Sequence, residues 1–304
     1  LGSQYQRFCM LLDTFNDATW VASVTVRSHA WQSKHKFDPS GSRQSREGMT
    51  VPHGTDFVQG RAVQDKLVIG EHPLAGFIFL LGEKLPETHV LPSSVDGVLG
   101  LARPSSAVNE KVNFWRQMKE GLIRPIFGIK LCPREDPSQG TGELVLGSVC
   151  HQCKKGPITQ FHLLPGPYWS FEIEQVSVND WVVDAQKTVV IMDTSTGYIH
   201  GPERTVAEIN SMIDPVESTG TFTFVNCDTW LALPTISFSG SFEELKFTPN
   251  DYVIKTTDGK CMSVFVSSKS DERFWRFGIA AHRHRYVIYN EFRKLVEFAA
   301  AKCP

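Results

Sequence analysis

Short apolar runs recur along the chain and are cut off by Gly, Pro, Asp or Ser: Phe8-Cys9-Met10-Leu11-Leu12, Leu67-Val68-Ile69, Phe77-Ile78-Phe79-Leu80 and Val189-Val190-Ile191-Met192. Runs of that length, punctuated in that way, predict strands. Helical periodicity is scarce. It is confined to Val112 to Glu120, Glu203 to Ile213 and Tyr289 to Ala301, which carry mixed apolar and charged faces, with Pro202 placed where a first helical turn tolerates it. The pattern predicts a mainly β chain with a few short helices.

The two halves of the pattern match. Leu11-Leu12-Asp13-Thr14 is followed at a distance by the step Val98-Leu99-Gly100, and Ile191-Met192-Asp193-Thr194 is followed at a similar distance by Phe277-Gly278. Two copies of one strand-and-loop plan, each delivering a single Asp-Thr, predict two lobes, 1–150 carrying Asp13 and 151–304 carrying Asp193, related by a pseudo-two-fold axis. A lone Asp-Thr in a β protein reads as a turn or a cap. Two in matching contexts point instead to a shared carboxylate site.

Composition supports this picture. A length of 304 residues exceeds what one hydrophobic core usually fills, and 41% hydrophobic with 21% charged residues is ordinary for a globular chain. No run approaches the about 18 apolar residues of a membrane span. A formal charge of -2 lacks the basic excess that a phosphate backbone demands, and His282-Arg283-His284-Arg285 is too short to supply it, so neither membrane nor nucleic acid is an expected partner. The chain opens at Leu1 without an initiator Met or an apolar leader, so a processed or truncated form is expected.

The 7 cysteines form an odd set, which leaves at least one thiol outside an internal disulfide. Cys227 and Cys261 enclose a loop of ordinary disulfide size, while the pairing of Cys9, Cys132, Cys150, Cys153 and Cys303 stays open. Cys150-His151-Gln152-Cys153 has the spacing of half a zinc site. With no second such pair following, no metal is expected.

At this point the chain resembles the pepsin-like (family A1) aspartic peptidases from Gln6 nearly to its end. Trp20 follows Asp13 as the family's tryptophan does, and Val95-Asp96-Gly97-Val98-Leu99-Gly100-Leu101-Ala102 is close to the family's Phe-Asp-Gly-Ile-Leu-Gly-Leu-Ala. Gly142-Glu143-Leu144-Val145-Leu146-Gly147, Tyr168-Trp169, Gly201-Pro202 and Leu233-Pro234-Thr235-Ile236 fall in family order.

The resemblance implies the bilobal acid-protease fold and Asp13 and Asp193 as a catalytic pair sharing one proton, the ionised member activating water and the protonated one polarising the scissile carbonyl. It implies no cofactor. Thr14 and Thr194 take the place of the bracing threonines, and Phe15, Asn16, Ser195 and Thr196 complete the active loops. His53, Gly54 and Thr55 fall at the flap, with Trp20 beside them, and Cys227 with Cys261 looks like the C-lobe disulfide. The implied partner is an extended polypeptide or peptide-like ligand in the interlobe cleft of a monomer, in the secreted or endo-lysosomal space.

The chain also departs from the family. Its Asp-Thr-Gly motifs read Asp13-Thr14-Phe15 and Asp193-Thr194-Ser195, its flap tyrosine is His53, and Arg276 stands where an aliphatic residue is usual. If the glycine positions need unusual backbone angles, Phe15 is the more damaging change. Asp17 adds a negative charge which, directed inward, would raise the proton affinity of Asp13. In the kind of change it carries, the chain resembles the inactive members of the family, such as the cockroach aspartic-protease-like allergen and the pregnancy-associated glycoproteins, so its proteolysis is expected to be weak or absent. A non-catalytic peptide- or ligand-binding protein of the same fold is the alternative.

Overall fold

A computed structural model describes residues 1–53, 55–70, 72–88, 90–121, 124–133, 141–268 and 273–304. The fold is mainly β with a few short helices. Residues 1–121 with 166–168 form one compact unit, and 122–165 with 169–304 form the other.

In the first unit a six-stranded sheet runs in the order Met10–Asp13, Gly97–Gly100, Trp20–Ala22, His72–Lys84, Asp56–Ile69, Arg43–His53. Met10–Asp13 lies parallel to Gly97–Gly100 with Asp13 opposite Gly100. Trp20 lies antiparallel to Val98 on one side and parallel to Leu80 on the other. The strands carrying these residues read as unbroken apolar runs because they are buried on both faces: Trp20, Leu80 and Val98 are all inaccessible, packed with Trp31, Val51 and Val58.

The second unit repeats the same ladder. Thr188–Met192 is parallel to Trp275–Phe277 with Met192 opposite Phe277. Trp275–Phe277 is antiparallel to Ile199–Gly201, which is in turn parallel to Phe265–Ser267. The duplication seen in the sequence is therefore a duplication of strand pairing. The core here is aromatic: Phe238 sits edge-on to Trp275 and Phe277 at 4.9 Å, and Phe247 to Phe277 at 5.6 Å. Such pairs each add about 1 kcal/mol beyond the area they bury.

A further five-stranded sheet of this unit orders Thr141–Leu146, Ile126–Cys132, Arg285–Asn290, Leu295–Ala301 and Lys154–His162. Cys132 is bonded to Cys303 just beyond its last strand, Cys150 to Cys153, and Cys227 to Cys261; Cys9 is an exposed free thiol. The helix expected over Tyr289 to Ala301 is not formed. Those residues make an antiparallel hairpin in which Tyr289 faces Val296 and Asn290 faces Leu295, because Leu295–Ala301 is almost wholly buried between two neighbouring strands. The helices Phe114–Lys119 and Glu203–Met212 are present, the first capped by the Asn113 side chain accepting from Arg116 N–H and the second preceded by Pro202.

Candidate active site

Each unit ends a buried strand on an aspartate and turns sharply. Asp13 is 3% exposed, and its Oδ1 accepts the backbone N–H groups of Phe15 and Asn16, both at 2.9 Å. Asp193 is 2% exposed, and its Oδ1 accepts the Ser195 N–H at 3.1 Å and the Ser195 hydroxyl at 2.5 Å. A carboxylate that caps its own turn is held in one orientation, which acid-base chemistry requires. Thr14 and Thr194 are buried beside them.

The glycine of each later step explains why that residue type recurs. A Cβ on Gly100 would lie 2.7 Å from the Ala18 nitrogen, and one on Gly278 would lie 2.2 Å from the Tyr198 carbonyl oxygen and 2.5 Å from that of Thr196. Gly278 N–H donates to that Tyr198 carbonyl at 2.9 Å and Ile279 N–H to Thr196 at 2.8 Å, so the step and the aspartate loop are stitched together. Replacing Gly278 with Ala is expected to destabilise the protein by about 1–3 kcal/mol through overpacking against backbone. Urea denaturation of the variant measures it, and an unchanged midpoint would contradict the contact.

Around the first aspartate, Asn16 Nδ2 donates to the Pro52 carbonyl at 3.3 Å, tying the loop to the hairpin of Arg43–His53 and Asp56–Ile69. His53 sits at the end of that hairpin opposite Asp56, its ring edge-on to Trp20 at 5.1 Å, and Thr55 is exposed; Gly54 lies outside the described residues. Trp20 is inaccessible, and its Nε1 meets no acceptor among the described residues.

Two conditions raised for the aspartate loops are not met. Phe15 and Ser195 are not among the residues with positive φ, so neither sits in the left-handed region that glycine relieves. Phe15 instead acts through its ring, stacked on Tyr168 at 4.9 Å. Asp17 is turned away into a network of its own: it accepts from the Ser105 N–H and hydroxyl, each at 2.6 Å, and from Asn109 Nδ2 at 2.8 Å.

Around the second aspartate, Thr196 Oγ1 pairs with His200 Nε2 at 2.9 Å. Arg276 lies opposite His200 in the ladder and brings Nη1 to 3.8 Å from Asp193 Oδ2. Sequence reasoning registered Arg276 only as a departure. The signal for this contact was a charged residue inside an apolar step immediately before Phe277-Gly278. His200 carried no such signal.

Behind this loop lies His282, wholly buried. Its Nδ1 is within 3.3 Å of the Gly278 carbonyl, which can only accept, so Nδ1 carries the proton and Nε2 accepts from the Tyr289 hydroxyl at 2.8 Å. Burial pushes its pKa down to about 4; the Gly278 hydrogen bond opposes the shift and Arg285 adds to it.

Glu143 and the sulfurs of Cys150 and Cys153 lie within 4.8 Å of one another, but the two sulfurs are spent on their disulfide and are not thiolate ligands. No helix among the described residues is long and apolar enough to cross a membrane.

A family model described as eukaryotic aspartyl protease matches residues 1–301. Gastricsin from Rattus norvegicus is 29% identical over 303 residues, covering 95% of this chain and 76% of its own length. Chymosin from Callithrix jacchus is 26% identical over 311 residues, covering 99% and 79%. Cathepsin E from Aquarana catesbeiana is 25% identical over 308 residues, covering 98% and 77%.

Proposed function

The chain belongs to the eukaryotic aspartyl protease family, and from that premise we propose an aspartic endopeptidase homologue that keeps Asp13 and Asp193 as its carboxylate pair, cleaves peptide bonds weakly or not at all, and binds extended polypeptide in its cleft. It works as a monomer in the secreted or endo-lysosomal space, which its disulfides suit. The lobes 1–150 and 151–304 are the duplicated halves of the sequence, as distinct from the compact units.

In this reading one aspartate of the pair takes a proton from water and the other donates to the scissile carbonyl, with no cofactor. Thr14, Thr194, Asn16 and Thr196 hold the loops, and the hairpin bearing His53, Gly54 and Thr55 closes over the bound chain beside Trp20. The observation that carries the impairment is Arg276, 3.8 Å from Asp193 Oδ2. A cation there competes with a water proton for the oxygen that general-base catalysis needs. Phe15 and His53 add bulk and altered hydrogen bonding around Asp13. The same contact favours, as a second reading, a purely non-catalytic binding protein, akin to the inactive members of the family.

The test is incubation with an unfolded protein at about pH 3 to 5 with and without a peptide containing statine, a mimic of the tetrahedral transition state. The expected result is binding of the statine peptide with little cleavage. Rapid cleavage that statine abolishes would overturn the impairment, and failure to bind statine would overturn the peptide cleft.

A further inference from the structure

The Cys150-His151-Gln152-Cys153 pair has no part in the reading above, and it differs from the other two disulfides in what keeps it closed. A cross-link stabilises a fold by constraining the unfolded chain, and by linkage the fold stabilises the cross-link to the same extent. For Cys132–Cys303, with a separation of 171, that mutual stabilisation is large. For Cys150–Cys153, with a separation of 3, it is small, because the two thiols stay neighbours in any conformation of the chain. The fold therefore does little to oppose reduction of this bond.

Nor does the turn depend on the bond. Cys150 N–H donates to the Tyr286 hydroxyl at 3.1 Å, Cys153 N–H to the Cys150 carbonyl at 3.2 Å, and Lys302 N–H to the Cys153 carbonyl at 2.8 Å. These contacts hold both residues in place with the sulfurs joined or separate. The two cysteines are unequally presented. Cys150 is partly exposed beside the exposed His151 and Gln152, whereas Cys153 is buried. Cys153 Sγ lies 3.7 Å from Glu143 Oε2, within reach of a hydrogen bond that a disulfide sulfur, having no proton, cannot donate. Reduction supplies that proton, and Lys130 Nζ, 2.8 Å from the same oxygen, anchors the acceptor.

We propose that Cys150–Cys153 is a thiol–disulfide exchange site for low-molecular-weight thiols of the glutathione class, opened without unfolding. A thiolate attacks Cys150 Sγ, forming a mixed disulfide there and releasing Cys153 as a thiolate that takes a proton from solvent and then donates it to Glu143. A second thiolate attacks the external sulfur of the mixed disulfide. It leaves as the oxidised dimer of the small thiol, and Cys150 is set free. Two small thiols are thus oxidised to one disulfide as the protein disulfide is reduced to two thiols.

For the test, the native protein, with the exposed Cys9 thiol capped by N-ethylmaleimide, is equilibrated in graded mixtures of reduced and oxidised glutathione, quenched with acid, alkylated and mapped by mass spectrometry. The equilibrium constant for reducing Cys150–Cys153 is expected to exceed that of Cys227–Cys261 roughly tenfold and that of Cys132–Cys303 roughly hundredfold, in the order of their loop lengths, with tryptophan fluorescence unchanged. Glu143→Gln leaves only a neutral acceptor and should lower the Cys150–Cys153 constant about three- to tenfold while the other two stay put. Opening of Cys150–Cys153 only together with Cys132–Cys303, or only where fluorescence reports unfolding, would overturn the proposal. An unchanged constant in E143Q would overturn the part given to Glu143.

Discussion

Replacing Cys132 and Cys303 together with alanine is expected to cost about 5 kcal/mol of unfolding free energy and to lower the thermal midpoint by about 10–15 °C. The bond spans a sequence separation of 171, so it removes a large amount of freedom from the unfolded chain. In the native state it joins the end of Ile126–Cys132 to the residue just after the final strand, fixing the C-terminus to the five-stranded sheet. The Cys150–Cys153 bond, with a separation of only 3, is the internal control. Its removal should cost much less, since so short a loop has little entropy to lose. Urea unfolding of both double variants without reductant checks the pair. Equal losses would refute the loop-length explanation.

Stability should also fall in acid in a window set by His282. Its unfolded pKa is about 6.5 and its folded pKa about 4, so between those values the unfolded chain takes up a proton that the native protein refuses. The contribution is complete above pH 6.5 and is lost as pH drops towards 4. It amounts to about 3 kcal/mol for this one group. Because Gly278 joins His282 to the loop of Asp193, the weakening falls on the support of that loop. Thermal midpoints between pH 7 and 4 should therefore slope less steeply for His282→Gln than for the wild-type protein. Parallel slopes would exclude His282 as the cause.

Much of this fold is legible in the chain because its strands are buried on both faces and its turns need particular residues. Leu11-Leu12-Asp13 and Val98-Leu99-Gly100 stand out as marks repeated in each half, and in the fold they pair residue for residue. The Arg285–Asn290 and Leu295–Ala301 hairpin was hidden because its connection, Glu291-Phe292-Arg293-Lys294, has no glycine, proline or asparagine, and Lys294 itself takes the positive φ of 57°. Its mixed charged and apolar residues then read as one amphipathic helix. Tertiary burial of Leu295, Val296 and Phe298 decides otherwise.

The two aspartate loops were legible as a repeat and illegible in their directions. Asp13, Asp193 and their following threonines stand out by repetition, yet no pattern shows that Asp17 turns to Ser105 and Asn109 or that Phe15 lies flat on Tyr168. Those outcomes depend on partners far along the chain. The same holds for Cys132 and Cys303, whose proximity follows from two strands in one sheet and from nothing in their spacing.

Gly100 and Gly278 leave no room for a side chain because backbone from the aspartate loops occupies it. Mutational drift that erased catalysis would still be purged at these two positions, since the cost there is paid in folding. The signature surrounding them thus attests to an intact scaffold and carries no record of whether turnover persists.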